Sequence, residues 1–200
     1  MNTKIKICGV KSLEDIAIVN KYDIDYVGFV FAKSKRQITK ELAKKMKEKL
    51  NPKIKAVGVF VDAPYENINE TIQYVGLDMV QLHGNETNDL CIKINKPVLK
   101  SISIRNKDSI NKVSQYKNIY GFVVDGAVAG SGKVFDWNFI GDISSKYITF
   151  LAGGLNEKNV EEAIQKINPQ VVDVSSGVEV DGIKNEEKIK QFVRKVKGNE

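Results

Sequence analysis

The stretch Asp173-Val-Ser-Ser-Gly-Val-Glu179 carries the densest chemical signal in this chain. It follows Pro169-Gln-Val-Val, whose β-branched pair reads as a strand. The strand therefore runs into two hydroxyl residues, Ser175 and Ser176, and then Gly177. With no Cβ at Gly177, backbone N–H groups there could approach an anion closely. Leu151-Ala-Gly-Gly-Leu155 ends the preceding strand in the same manner, at Gly153 and Gly154. Other strand ends offer groups that move protons or grip charge: Cys8, Arg36 in the run Ala32-Lys33-Ser34-Lys35-Arg36, His83, Asp125 and Asp173. Cysteine, arginine, aspartate and the two glycine loops would thus face one mouth. The paired glycine loops would hold a phosphate, so the expected ligand is a phosphorylated small molecule.

Eight short β-branched runs must position these groups: Lys4–Cys8, Tyr26–Phe31, Lys55–Val61, Met79–Leu82, Val98–Ser101, Tyr120–Asp125, Tyr147–Ala152 and Val171–Val174. Their continuous apolar character argues for a parallel sheet covered on both faces. Amphipathic stretches alternate with them. Ser12 and Asp15 read as a capping box, and Asn156 as the N-cap of a helix over Glu157–Ile167. Asp62 precedes Pro64 in a first helical turn. Cys91 reads as a core-facing residue of a helix within Thr87–Asn95, and the last helix covers Glu186–Lys197. A short sixth helix is expected near Trp137–Ser144. Eight βα units fit a (β/α)8 barrel, an α/β fold whose closed sheet has eight parallel strands and whose chemistry sits at the strands' C-terminal ends. A doubly wound open sheet would alternate similarly, but the first strand ends Ile7-Cys8-Gly9-Val10, with no G-x-G-x-x-G loop. The whole chain, 1–200, reads as one domain.

Composition narrows the function. The net charge of +6 comes from 31 Lys+Arg against 25 Asp+Glu. The excess is nearly all lysine spread along helix faces, with arginine only at 36, 105 and 194. That distribution argues against a nucleic-acid surface, which favours clustered arginine with aromatics. No apolar run is long enough to span a bilayer and no signal-peptide pattern opens the chain, so a cytoplasmic location is expected. Cys8 and Cys91 are the only cysteines and His83 the only histidine, so neither a disulfide framework nor a metal cluster is expected.

Taken in order, the motifs resemble the phosphoribosylanthranilate isomerase family of tryptophan biosynthesis. They are Lys6-Ile-Cys-Gly9, Phe29-Val-Phe with Ser34-Lys-Arg36, Gln81-Leu-His-Gly84, Asp125 with Gly130-Ser-Gly132 and Phe135-Asp-Trp137, Ala152-Gly-Gly-Leu155, and Asp173-Val-Ser-Ser-Gly-Val-Glu179. The chain departs from the family pattern at Gly126-Ala127, where a hydroxyl residue is common, and at Ala129-Gly130. The resemblance implies an Amadori rearrangement of N-(5-phosphoribosyl)anthranilate to 1-(2-carboxyphenylamino)-1-deoxyribulose 5-phosphate. It implies Cys8 as general base and Asp125 as general acid, with no metal or organic cofactor. Arg36 is expected to grip the anthranilate carboxylate. His83, Gly153, Gly154, Asp173, Ser175, Ser176 and Gly177 complete the expected substrate site. A Cys8 thiolate would be favoured by cationic substrate and helix N-termini. The partner is the phosphosugar alone, and the chain is expected to be a monomer, with a homodimer as the alternative.

Other readings compete. Cys8 could be a small buried hydrophobe, Asp125 a loop brace, Asp173 an orienting group, Arg36 a surface arginine, and Asp136 and Trp137 loop anchors. A sister isomerase of histidine synthesis would carry an aspartate in place of Cys8. A metal-dependent epimerase would need more than one histidine. A non-catalytic phosphoribosyl binder would have little need of a Cys–Asp pair.

Overall fold

The computed structural model describes residues 3–104, 113–126 and 143–198. Eight parallel strands close into a barrel in chain order. They are β1 (Lys4–Cys8), β2 (Tyr26–Val30), β3 (Lys55–Phe60), β4 (Met79–Leu82), β5 (Val98–Ile104), β6 (Gly121–Gly126), β7 (Thr149–Ala152) and β8 (Val171–Val174). Closure comes where β1 pairs β8, Lys4 beside Val171 and Ile7 beside Val174. The expected strands are all present; β1, β4 and β8 keep their expected bounds, and the others shift by one to three residues at an end. Tyr147 and Ile148, for instance, stay half exposed below β7.

Helices pack around the ring: α1 (Leu13–Val19), α2 (Lys40–Lys49), α3 (Tyr65–Val75), α4 (Asn88–Lys93), α5 (Val160–Ile167) and α6 (Glu186–Lys197). Cys91 is buried on α4 as expected. Ser12 caps α1 by accepting from the Asp15 amide, but the Asp15 carboxylate accepts from Lys11 rather than Ser12. The capping box is thus closed one residue early. Pro64 sits at the N-cap of α3, while the Asp62 side chain accepts from the Asn85 amide across the next loop. The helix expected from Glu157 starts at Val160 instead. Asn156 opens a preliminary turn, accepting from Lys158 through its side chain and from Asn159 and Val160 through its carbonyl. The expected sixth helix lies largely outside the described residues, as do Gly130-Ser-Gly132 and Phe135-Asp-Trp137.

A barrel's inward positions alternate along each strand. The lower layer is apolar: Tyr26, Val57, Met79, Leu99, Val123, Phe150 and Val171 form one cluster, with Tyr26 edge-on to Phe150 at 5.2 Å. Two residues further along, the layer turns polar. Lys6, Gln81 and Asp173 lie there, all buried. At the mouth come Cys8, His83 and Ser175, two residues beyond Lys6, Gln81 and Asp173, and Asp125, two residues beyond Val123. The larger core lies between the barrel's outer face and the helices, with Ile5, Ile7, Phe29 and Phe122 from the strands and Met46, Ile68, Ile189 and Phe192 from the helices.

Candidate active site

A cavity of about 390 Å³ opens at the C-terminal ends of the strands, lined by Cys8, Arg36, His83, Asp125, Gly153, Gly154, Asp173, Ser175 and Ser176 among others. The fold therefore brings together every expected site residue except Gly177. They come from six different strand ends and the loops that follow, so no segment alone makes the site.

Cys8 ends β1, and its sulfur lies over β2. A Cβ at Gly28 would stand 2.7 Å from Cys8 Sγ, so the glycine there makes room for the thiol. The residue keeps some open surface, but its sulfur is enclosed. Burial pushes the thiol above its ordinary value, against the opposing pull of the Lys6 and Lys184 ammonium groups. In the protein alone, enclosure outweighs the nearby positive charge; the expected help from a cationic substrate concerns the bound state.

Beneath Cys8, the Lys6 ammonium donates to Asp173 Oδ2 at 2.7 Å and to Gln81 Oε1 at 2.8 Å. Burial alone would lower this lysine, but Asp173 and Cys8 together hold the ammonium above its usual value. The other Asp173 oxygen, Oδ1, is buried without a hydrogen-bond partner among the described residues. Because Gln81 accepts through Oε1, its Nε2 faces the other way. That nitrogen lies 3.1 Å from both Ser101 Oγ and His83 Nδ1. Nε2 is a donor, so His83 Nδ1 must accept, and the ring carries its proton on its own Nε2. His83 is an exposed residue at the cavity wall. Partial desolvation lowers its imidazole, with Asp125 pulling the other way. The donor direction, more than that shift, fixes it as neutral.

Arg36 meets the cavity from the loop after β2. Its Nε and Nη2 donate to Glu179 Oε1 and Oε2, each at 2.7 Å. This planar bidentate grip was expected for a substrate carboxylate. The protein makes it internally, which leaves Nη1 and the second Nη2 hydrogen for a ligand. Glu179 begins a short hairpin, β9 (Glu179–Val180) with β10 (Ile183–Lys184), and Lys184 Nζ donates to it at 2.8 Å. Burial would raise the Glu179 carboxyl, yet Arg36 and Lys184 together bring it from 4.5 down to about 2. Lys184 also donates to the Ser175 carbonyl at 3.1 Å, which joins the arginine clamp to the glycine loops. Gly9, at φ +75, admits the Arg36 stem, whose Cδ occupies the place a Cβ would take.

The loops after β7 and β8 meet at one corner of the mouth. The Ser175 hydroxyl donates to the Cys8 carbonyl at 3.1 Å, so its proton ties β8 to β1 and is not free for an anion. Gly177 does not line the cavity; a Cβ there would strike the Leu155 carbonyl oxygen. Its bareness lets one loop's backbone lie on the other's. The amides of Gly154, Ser176 and Gly177 have no protein acceptor among the described residues. They are donors suited to an anion at this corner of the mouth.

Known proteins of the same construction settle the family. The chain matches the family described as N-(5'phosphoribosyl)anthranilate (PRA) isomerase over residues 5–195. It is 47% identical over 195 residues to the N-(5'-phosphoribosyl)anthranilate isomerase of Clostridium kluyveri, covering 97% of this chain and 98% of that one. The chain belongs to the N-(5'-phosphoribosyl)anthranilate isomerase family. An isomerase of this family from Thermotoga maritima superposes with a TM-score of 0.91 at 39% identity, covering 98% of this chain and all of that one. Another solved isomerase, at TM-score 0.89, 38% identity and the same coverage, holds reduced 1-(o-carboxyphenylamino)-1-deoxyribulose 5-phosphate. The activity that goes with this family is an aldose–ketose isomerisation in tryptophan biosynthesis.

Lys6, Gln81, Glu179 and Lys184 were not singled out from sequence as site residues. Lys6 and Gln81 had one usable signal: each lies two positions before an expected mouth residue, on the same inward face.

Proposed function

We propose that Cys8 is the general base and Asp125 the general acid of the Amadori rearrangement of N-(5'-phosphoribosyl)anthranilate. The observation that supports this most is the shared cavity. A thiol, a carboxyl, an arginine edge and a set of unpartnered amides converge on one mouth from five strand ends. Asp125 gives its proton to the furanose ring oxygen as the C1–O bond breaks, and the anilino nitrogen forms an iminium with C1. Cys8, as thiolate, takes the proton from C2. The C2–H electrons form the C1–C2 double bond, and the C1–N double-bond pair returns to nitrogen. The resulting enolamine gains a proton at C1 and loses one from the C2 oxygen, giving the ketone. Because burial raises the Cys8 thiol, the iminium itself must help: its positive charge arrives at the step that needs the thiolate.

The phosphate lies against the Gly154, Ser176 and Gly177 amides, and the anthranilate carboxylate against the free edge of Arg36. Asp173 Oδ1, buried and without a partner, accepts a ribose hydroxyl. The chain acts as a single domain, in the cytoplasm, as a monomer; homodimerisation is the alternative, and light scattering at working concentration separates them. Among the described residues no helix is long and apolar enough to cross a membrane.

The deciding experiment follows loss of substrate fluorescence with and without a chelator, for the wild type and Cys8→Ala. Wild-type turnover should survive chelation. Cys8→Ala should lose about 10²–10⁴-fold in kcat, the usual contribution of a general base. Near wild-type kcat in Cys8→Ala would remove the thiol from the mechanism.

A further inference from the structure

Lys6 is a residue of the barrel interior whose chemistry the mechanism above leaves unused. It is a lysine with no exposed surface, in a class almost never fully buried unless paired. Its pairing with Asp173 does not explain its presence through stability, because a buried ion pair is commonly no better than apolar side chains of the same volume. Its place is more informative. Lys6 and Cys8 are alternate residues of β1, so both project into the barrel, the lysine one layer below the thiol. Asp173 Oδ2 and Gln81 Oε1 take two of its three N–H donors and hold the ammonium still. One N–H donor remains beyond these two bonds, on the residue one layer below the thiol.

We infer that Lys6 is a positioning residue, a fixed positive charge beneath Cys8 that makes its thiolate attainable in an otherwise enclosing site. This rests on the reading of Cys8 as the base. The charged surroundings of Cys8 support it when taken together. Asp173 on β8 opposes a thiolate, Lys184 on β10 favours one, Arg36 after β2 stands across the Glu179 pair, and Asp125 on β6 and neutral His83 beyond β4 line the far wall. Of these, Lys6 exerts the largest charge effect on the thiol. Gln81 and Asp173 then have a shared purpose, since each fixes the ammonium against the pull of the other.

The test is the pH dependence of Cys8 alkylation by iodoacetamide between pH 6 and 11, read by peptide mass spectrometry so that Cys91 is scored separately. Lys6→Met should move the Cys8 midpoint up by about 1 unit or more, in line with removal of an adjacent opposite charge. The acid limb of kcat/KM should rise with it. A purely structural lysine would alter stability and leave the alkylation midpoint in place, and a wild-type midpoint in folded Lys6→Met overturns the inference. Should Lys6→Met fail to fold, Lys6→Met/Asp173→Asn leaves no unpaired buried charge and is compared with Asp173→Asn alone, because Asp173 itself opposes the thiolate: a midpoint above that of Asp173→Asn supports the inference, and an equal midpoint overturns it. Failure of Cys8 as the base shows differently, as undiminished kcat in Cys8→Ala whatever the alkylation profile.

Discussion

Single residues at this mouth do their work through what they are already bonded to. Asp125 lines the cavity half-exposed, opposite the enclosed Cys8 sulfur. If it is the acid, Asp125→Asn should preserve KM and lower kcat, because the amide matches its shape but is a poor proton donor. A rise in KM at constant kcat would make Asp125 a binding group. Arg36 poses a different question, since one edge of its guanidinium is committed to Glu179. Arg36→Lys keeps a charge but cannot both hold Glu179 bidentately and present a second edge to a carboxylate. Its expected mark is a raised KM with kcat less affected, and kinetics equal to wild type would place Arg36 outside the site. The sequence marked Cys8, Arg36 and Asp125 because each is a reactive type at a strand end. It concealed Glu179 and Lys184 as their companions, since Glu179 lies 143 residues from Arg36 along the chain. Only barrel closure makes them neighbours.

At the scale of elements, the two glycine loops and the β9–β10 hairpin form one assembly. Gly177 lies against the Leu155 carbonyl, Ser175 is tied to Cys8, and Lys184 ties Ser175 to Glu179. Gly177→Val should therefore push the loops apart. Inhibition by inorganic phosphate should weaken together with substrate binding, and thermal stability should fall. Unchanged phosphate inhibition would place the anion elsewhere. The hairpin has its own signature with pH. Glu179 is at about 2 in the folded protein against an ordinary 4.5, so it binds protons less readily folded than unfolded. Its contribution to stability is complete above about pH 4.5 and fades as pH falls toward 2. Glu179→Gln should remove that part of the acid dependence, measured as urea midpoints between pH 2 and 6; an unaltered acid slope would discount the clamp. Elements of this kind were partly legible. The strands were readable because parallel strands covered on both faces keep continuous β-branched runs. The start of α5 was not, because Asn156 caps a preliminary turn with the bonding of a helix N-cap, and sequence does not distinguish the two.

The whole barrel is apolar below and chemical above, and the boundary is the buried layer of Lys6, Gln81 and Asp173. That layer was the least legible feature of the chain. A lysine at the centre of a strand reads as solvent-facing, and only knowledge of which strand face points inward reverses the reading. Its energetics yield a prediction about the molecule as a unit. Removing one partner of a buried ion pair leaves an uncompensated charge and costs about 3–5 kcal/mol, while replacing both with apolar groups is often neutral or stabilising. Lys6→Met alone should accordingly lower the thermal midpoint by several degrees, since about 1 kcal/mol corresponds to roughly 2–4 °C for a chain of this size. Lys6→Met/Asp173→Leu should recover or exceed wild-type stability and yet turn over poorly, having lost both the charge beneath Cys8 and the unpartnered Asp173 oxygen. Calorimetry of the two variants beside their kcat values decides it. A double variant less stable than Lys6→Met alone would show that the ion pair holds the barrel together; one stable but inactive would show that the barrel tolerates its expense because the mouth above requires it.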